Sequence, residues 1–299
     1  MLAFANGIPI LFVSRAVEGC GGGNLGVANS YIADVTDESQ RPQAYAYATA
    51  AFGAGFIVGP ILGGALAHAD ATLPFFVAAA FQALNFIFTA AWLPPTGGRV
   101  RPAFRMRDVR ATFARPGIAN VLVRELLYIF AFTYFFTIFA LFSSRVLNAG
   151  PETTSFLLGL AGVVGAGVQI AGVGPLVRRF GAPRVTLAAF AAGVLSYGVF
   201  GFVHEMSTFV IAIVFWALSG SLLRPILAAR LAELTPAHER GTLLGFSDSL
   251  DNFALIFAPA IGSAVVGSAP QLTGMLPAAA LAIGFLLTLR EAKTLRSDG

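Results

Sequence analysis

Residues 55–64 read Gly55-Phe56-Ile57-Val58-Gly59-Pro60-Ile61-Leu62-Gly63-Gly64, a G-x-x-x-G-P-x-x-G-G string inside a long apolar run. Proline deletes a backbone hydrogen bond and glycine supplies little packing area, so the string costs a helix stability. A bilayer tolerates it where a neighbouring helix packs against the bare backbone. The string therefore predicts a smooth, kinked, closely packed membrane helix, of the kind that moves inside a bilayer.

The rest of the chain agrees with a membrane setting. Its 299 residues are 57% hydrophobic and only 11% charged, with a mean hydropathy of +0.77. A soluble domain carries about a quarter charged residues. The 28 Phe and 33 Gly suit a bundle of spanning helices, with aromatics towards lipid or ligand and glycines at helix contacts. Cys20 stands alone and carries no disulfide information, and His68, His204 and His238 belong to no cluster with metal-ligand spacing. Gly21-Gly22-Gly23 is no phosphate loop, since no Lys-Ser/Thr follows it. A membrane-embedded enzyme is disfavoured, as no paired-acid, His-rich or nucleophile motif lies near a membrane face.

About 20 residues cross the hydrocarbon, and nine apolar runs are long enough, near 8–33, 43–67, 73–93, 119–143, 154–177, 184–203, 208–229, 242–266 and 271–289. The first is no signal peptide, because no basic residue precedes it and the run continues past a signal's length. The division expected is 1–93, a linker over 94–118, a six-helix part over 119–290 and a tail over 291–299. The linker holds Arg99, Arg101, Arg105, Arg107, Arg110 and Arg115, with Phe104, Met106, Val109 and Phe113 between them. It suits a short helix on an anionic leaflet, and no nucleic-acid partner is expected. With this linker inside and the connections alternating, 15 of the 19 basic residues fall on the inner side and Arg145 alone on the outer. That asymmetry predicts an external residue 1 and a cytoplasmic C-terminus.

Residues 31–65 lie over 230–264 at a constant offset of 199 without a gap. Ala33-Asp34-Val35-Thr36 meets Ala232-Glu233-Leu234-Thr235, Arg41 meets Arg240, Pro60 meets Pro259 and Gly63 meets Gly262. A fixed offset marks a duplicated unit. The second copy has six helices and the first shows three, so about 80 further residues and three helices are expected ahead of Met1.

Several polar residues stand within the runs, where ionisable groups are expensive and by default mark a pathway. Arg15, Glu18, Gly19, Gly22, Gly26 and Asn29 recur on one helical face, which reads as a cavity wall or as a contact stripe with one local Arg–Glu pair. Arg224 and Asp248 are equidistant from the fold-back near 236 and are expected to pair. Asp251 is then level with Ser221, an uncharged residue, and stands roughly 15 Å into its helix at 1.5 Å per residue. Such a lone carboxylate can bind and release protons, with Asn252 beside it as a hydrogen-bonding neighbour. Tyr128, Phe132, Phe135 and Phe139 share a face and read as packing residues or as an apolar pocket. Gln169 and Trp216 are further pathway candidates.

Two halves of six helices joined by a basic loop resemble the plan of the major facilitator superfamily. Residues 55–64 resemble the fifth-helix motif of its antiporters, especially the drug and tetracycline-type efflux pumps. Arg15 with Gly19 resembles the fourth-helix R-x-x-x-G signature, and Gly174–Gly181 the second copy of a G-x-L-a-D-R-x-G loop, with Arg178 where an acid would stand. The resemblance implies an all-α membrane protein with nine transmembrane helices, the fourth to twelfth of a twelve-helix bundle. It implies a multi-pass protein of the plasma (inner) membrane, monomeric at full length, exporting a small hydrophobic compound or drug. No metal or cofactor is expected beyond a proton gradient. Gly55, Gly59, Pro60, Gly63, Gly64, Arg178, Arg179, Arg224 and Asp248 are expected to be structural or gating residues. The competing expectation is an N-terminally truncated, non-transporting fragment.

Overall fold

The computed structural model describes residues 1–20, 27–28, 31–32, 35–37, 40–94, 115–235, 240–268 and 272–297. Asn29 and most of the basic linker lie outside the described residues, as does the side chain of Asp248. The chain divides into two compact units, Met1–Pro102 and Ala103–Gly299.

The first unit holds a 3-10 turn (Leu2–Phe4), α1 (Ile8–Cys20), α2 (Arg41–Ala69) and α3 (Leu73–Trp92). Helix α2 opens with Pro42 in its first turn, where a missing N–H costs nothing, and carries Pro60 inside. It turns into α3 over three residues. There Asp70 Oδ1 accepts from the Thr72 hydroxyl (2.6 Å) and the Thr72 N–H (2.7 Å). These bonds, the hydroxyl first, hold the Asp70 carboxyl below the ordinary carboxylate range. Phe4 packs edge-on against Phe76 at 5.3 Å and ties the N-terminal turn to α3.

The second unit contains α4 (Pro116–Leu147), α5 (Pro151–Gly167), a π-helical turn (Val168–Gly172), α6 (Val173–Phe180), α7 (Ala182–Phe200), α8 (Met206–Glu233), α9 (Arg240–Ser268) and α10 (Leu272–Ser297). Helix α4 ends at Asn148 in the left-handed region (φ 50), and Pro151 starts the next helix three residues on. Gly181, at φ +83, is the single residue that turns α6 into α7. Helix α10 runs on past residue 290, into the segment expected to be a tail.

Helix α4 is the centre of this unit and packs against α8, α9 and α10, while α7 packs against α8 and α10. Its aromatic side fills the core: Phe135, Phe139 and Phe142 are buried with Phe200 and Phe209, Phe135 stacking on Phe200 at 4.0 Å. Small residues set the helix spacing. A Cβ on Gly274 would collide with the backbone of α7 at Tyr197 and Gly201, and one on Gly262 would lie 2.8 Å from Ile138 of α4.

Among the described residues, seven helices are long and apolar enough to cross a membrane, beginning at Leu73. The other two expected spans are only partly visible: 8–33 as α1, and 43–67 within α2, whose apolar portion is Gly53–Ala69. Helices α2 and α9 have 29 residues each, open on Arg41 and Arg240 and carry Pro60 and Pro259 inside, all at the offset of 199. The duplication read from sequence is thus visible as two helices of one length and one proline position.

Candidate functional site

Charged residues of α8 and α9 meet within the span. Arg224 Nη2 lies 3.2 Å from Asp251 Oδ2, so Arg224 pairs with Asp251, and Asp251 is not a lone carboxylate. Asp248, the partner expected for Arg224, stands one turn earlier on the same face, and its side chain lies outside the described residues. The pair is lopsided: the arginine side chain is 59% exposed and the aspartate 15%. Pro225 follows Arg224 and has no N–H to offer the Ser221 carbonyl, which loosens α8 beside the pair.

Helix α4 faces this pair with a ladder of residues. The Tyr128 hydroxyl donates to the Gly220 carbonyl at 3.3 Å, one turn from Arg224 on α8. Gly220 allows that approach, since its Cβ position is 3.5 Å from both the Tyr128 hydroxyl and the Phe132 ring. One turn further, Phe132 stacks on Trp216 (5.0 Å, 10° between planes) and on Phe136 (5.8 Å, 7°). Trp216 Nε1–H donates to the Tyr197 hydroxyl at 2.8 Å, which donates to the Ala131 carbonyl at 2.8 Å. Tyr128, Phe132, Tyr197 and Trp216 line one small recess with Ser219, Gly220 and Leu281.

Sequence reasoning singled out Tyr128, Phe132, Trp216 and Asp251, and the structure brings these four to one neighbourhood with Arg224. Of the two readings of Phe135 and Phe139, packing residues or apolar pocket, the structure shows both rings buried in the core, each also against Trp216. Glu125, Phe136, Tyr197 and Gly220 were missed, although Glu125, Tyr128, Phe132 and Phe136 recur at steps of three and four, the spacing of one helical face. Gln169 lies in the π-helical turn and is exposed, and Asn252 is exposed beside Asp251. Arg178 and Arg179 are exposed at the end of α6, Arg179 resting over Phe180 at 5.4 Å.

Of the two readings of the Arg15 face, cavity wall or contact stripe, the described residues show the local Arg–Glu pair. Arg15 Nη1 pairs with Glu18 of its own helix at 2.5 Å, both side chains being more than 60% exposed. Among the described residues, no heavy atom of another element comes within 4 Å of a Cβ placed on Gly55, Gly59 or Gly63, whereas Gly64 is buried. The one-turn spacing of Arg15 and Glu18 favours the local pair over a contact across helices.

A second polar cluster went unnoticed in the sequence. Arg124 of α4, 3% exposed, bonds to Glu291 of α10 at 2.5 Å and to the Thr288 hydroxyl at 3.3 Å. Arg230 of α8 reaches the other oxygen of Glu291 at 3.3 Å and Glu233 at 3.3 Å. One carboxylate thus joins three helices at one end of the unit.

The sequence pattern of the Major Facilitator Superfamily matches twice, over residues 1–172 and 121–298. The multidrug resistance protein 2 of Bacillus subtilis (strain 168) is 24% identical over 265 residues, covering 85% of this chain and 66% of that protein. The class B tetracycline resistance protein of Escherichia coli is 25% identical, covering 87% of this chain and 66% of the relative. The chain therefore spans about two thirds of the length of these relatives. The solved structure of the human organic anion transporter MFSD10 (TETRAN) superposes with a TM-score of 0.72 at 19% identity, over 96% of this chain and 72% of that one. This multi-pass membrane protein belongs to the major facilitator superfamily, a family of transporters and not of enzymes.

Proposed function

We propose that the chain is a secondary active transporter, a proton-coupled exporter of a small, largely apolar compound or drug. In this reading its nine spans correspond to the fourth to twelfth helices of a twelve-helix plan, set in the inner membrane with the C-terminus in the cytoplasm. The Arg224–Asp251 pair carries the proposal. Arg224 stands about nine residues from the end of α8, or roughly 14 Å into the membrane at 1.5 Å per residue. Charges at that depth face a water-filled path and not lipid. A proton arriving on Asp251 discharges the carboxylate and frees Arg224, so proton occupancy sets the charge of the path. The stacked rings beside it supply an apolar wall. The names of the two bacterial relatives, which refer to drug resistance, support export of a drug-like compound.

The test is transport by the purified chain in liposomes under an imposed pH gradient, with tetracycline and the dye ethidium as probes. Uphill movement that needs the gradient and Asp251 supports the proposal. A second reading is that transport needs a longer chain, favoured by the two-thirds span of the relatives and by the open faces of Gly55, Gly59 and Gly63. Absence of any probe exchange by a folded protein would favour it.

A further inference from the structure

We propose that Arg224 is the anchor for an anionic group on the transported compound, and that the compound is an aromatic anion lying along α4. The proposal rests on reading this face as the substrate path, and it names the chemistry that the path selects. Three observations lead to it.

The first is the asymmetry of the ion pair. Asp251 is mostly buried while Arg224 keeps more than half its side chain open. A guanidinium has five donors in a planar fork, and among the described residues a single carboxylate oxygen, at 3.2 Å, is paired with it. Deep in a spanning helix those donors face a cavity and not lipid. They suit a second oxyanion, carboxylate or phosphate-like, better than a neutral ligand.

The second is what lies next to the guanidinium. The α4 ladder from Tyr128 through Phe132 to Phe136 extends eight residues, about 12 Å at 1.5 Å per residue. On α8, Arg224, Gly220 and Trp216 descend beside it in the opposite direction, so the cation sits at the Tyr128 end and the ring stack at the other. Phe136 is partly exposed, and the Phe132 and Phe136 rings are nearly parallel in their stacking. The open side of Phe136 offers an aromatic surface on which a flat ring system attached to the anionic group can stack.

The third is the competition built into the pair. An anionic group that engages Arg224 does so at the expense of Asp251, because both offer the same chemistry to one fork. Loss of the Asp251 charge should therefore strengthen anion binding, and loss of the Arg224 charge should abolish its advantage over a neutral compound of equal size. A purely structural ion pair gives neither effect.

The experiment is calorimetric titration of the full chain in detergent with 2-naphthoate and with its uncharged analogue 2-naphthamide. The naphthoate is expected to bind at least tenfold more tightly. Arg224→Gln should bring the two together, Arg224→Lys should keep part of the difference, and Asp251→Asn should tighten naphthoate several-fold with little effect on the amide. Should Arg224→Gln fail to fold, the wild-type comparison and Asp251→Asn decide alone. Equal affinity of acid and amide in the wild-type protein, or naphthoate binding unchanged or weakened by Asp251→Asn, overturns the proposal. Because the readout is binding, it separates from transport. Export of tetracycline or ethidium without discrimination of naphthoate sinks this inference alone, and discrimination without any export sinks only the functional reading.

Discussion

Single residues decide the character of the site. The Tyr197 hydroxyl accepts from Trp216 and donates to Ala131, fixing the indole that anchors the ring stack. Tyr197→Phe strands the Trp216 N–H in the core and should cost about 1–3 kcal/mol of stability, measured by thermal unfolding in detergent. The sequence made several of these residues legible, because charges and aromatics stand out in apolar runs at helical spacing. It missed the pairing of Arg224 with Asp251, since counting from a turn gives depth but not the tilt between helices. Tyr197 was illegible for a simpler reason: its role depends on Ala131 of α4, 66 residues away, and on Trp216 across the turn to α8.

At the level of elements, close glycine contacts and one ionic clamp hold the second unit together. Gly274 lies against the α7 backbone, which cannot yield to a methyl group as a flexible side chain could. Gly274→Ala should destabilise the unit by about 1–3 kcal/mol. Gly59→Ala, which meets open space among the described residues, should be neutral or gain up to about 1 kcal/mol from helix propensity. Parallel melting curves of the two variants check this contrast. Glu291→Gln leaves Arg124 buried without its countercharge and should cost about 3–5 kcal/mol. Combining it with Arg124→Met should recover much of that loss. Helix positions and the α2–α9 correspondence were legible from apolar runs and a fixed offset. The clamp was not, because Arg124, Arg230 and Glu291 each read singly as a charge near a helix end.

For the molecule as a whole, the family and the multi-pass character followed from composition and the glycine–proline string. Orientation rests on the basic residues, and labelling can decide it. In a Cys20→Ser background, a cysteine at Ser144 should react with an impermeant maleimide added to intact cells. One at Ser297 should react only after permeabilisation. The reverse pattern would invert the topology and place the linker outside.

The account stands or falls on whether the Arg224–Asp251 pair couples protons to cargo. The direct measurement compares wild-type protein with Asp251→Asn in liposomes, following tetracycline under an imposed pH gradient and, separately, at equilibrium exchange. The wild-type protein should accumulate the probe uphill, while Asp251→Asn should exchange it across the membrane yet fail to accumulate it. Uphill accumulation by Asp251→Asn equal to that of the wild type would contradict the account.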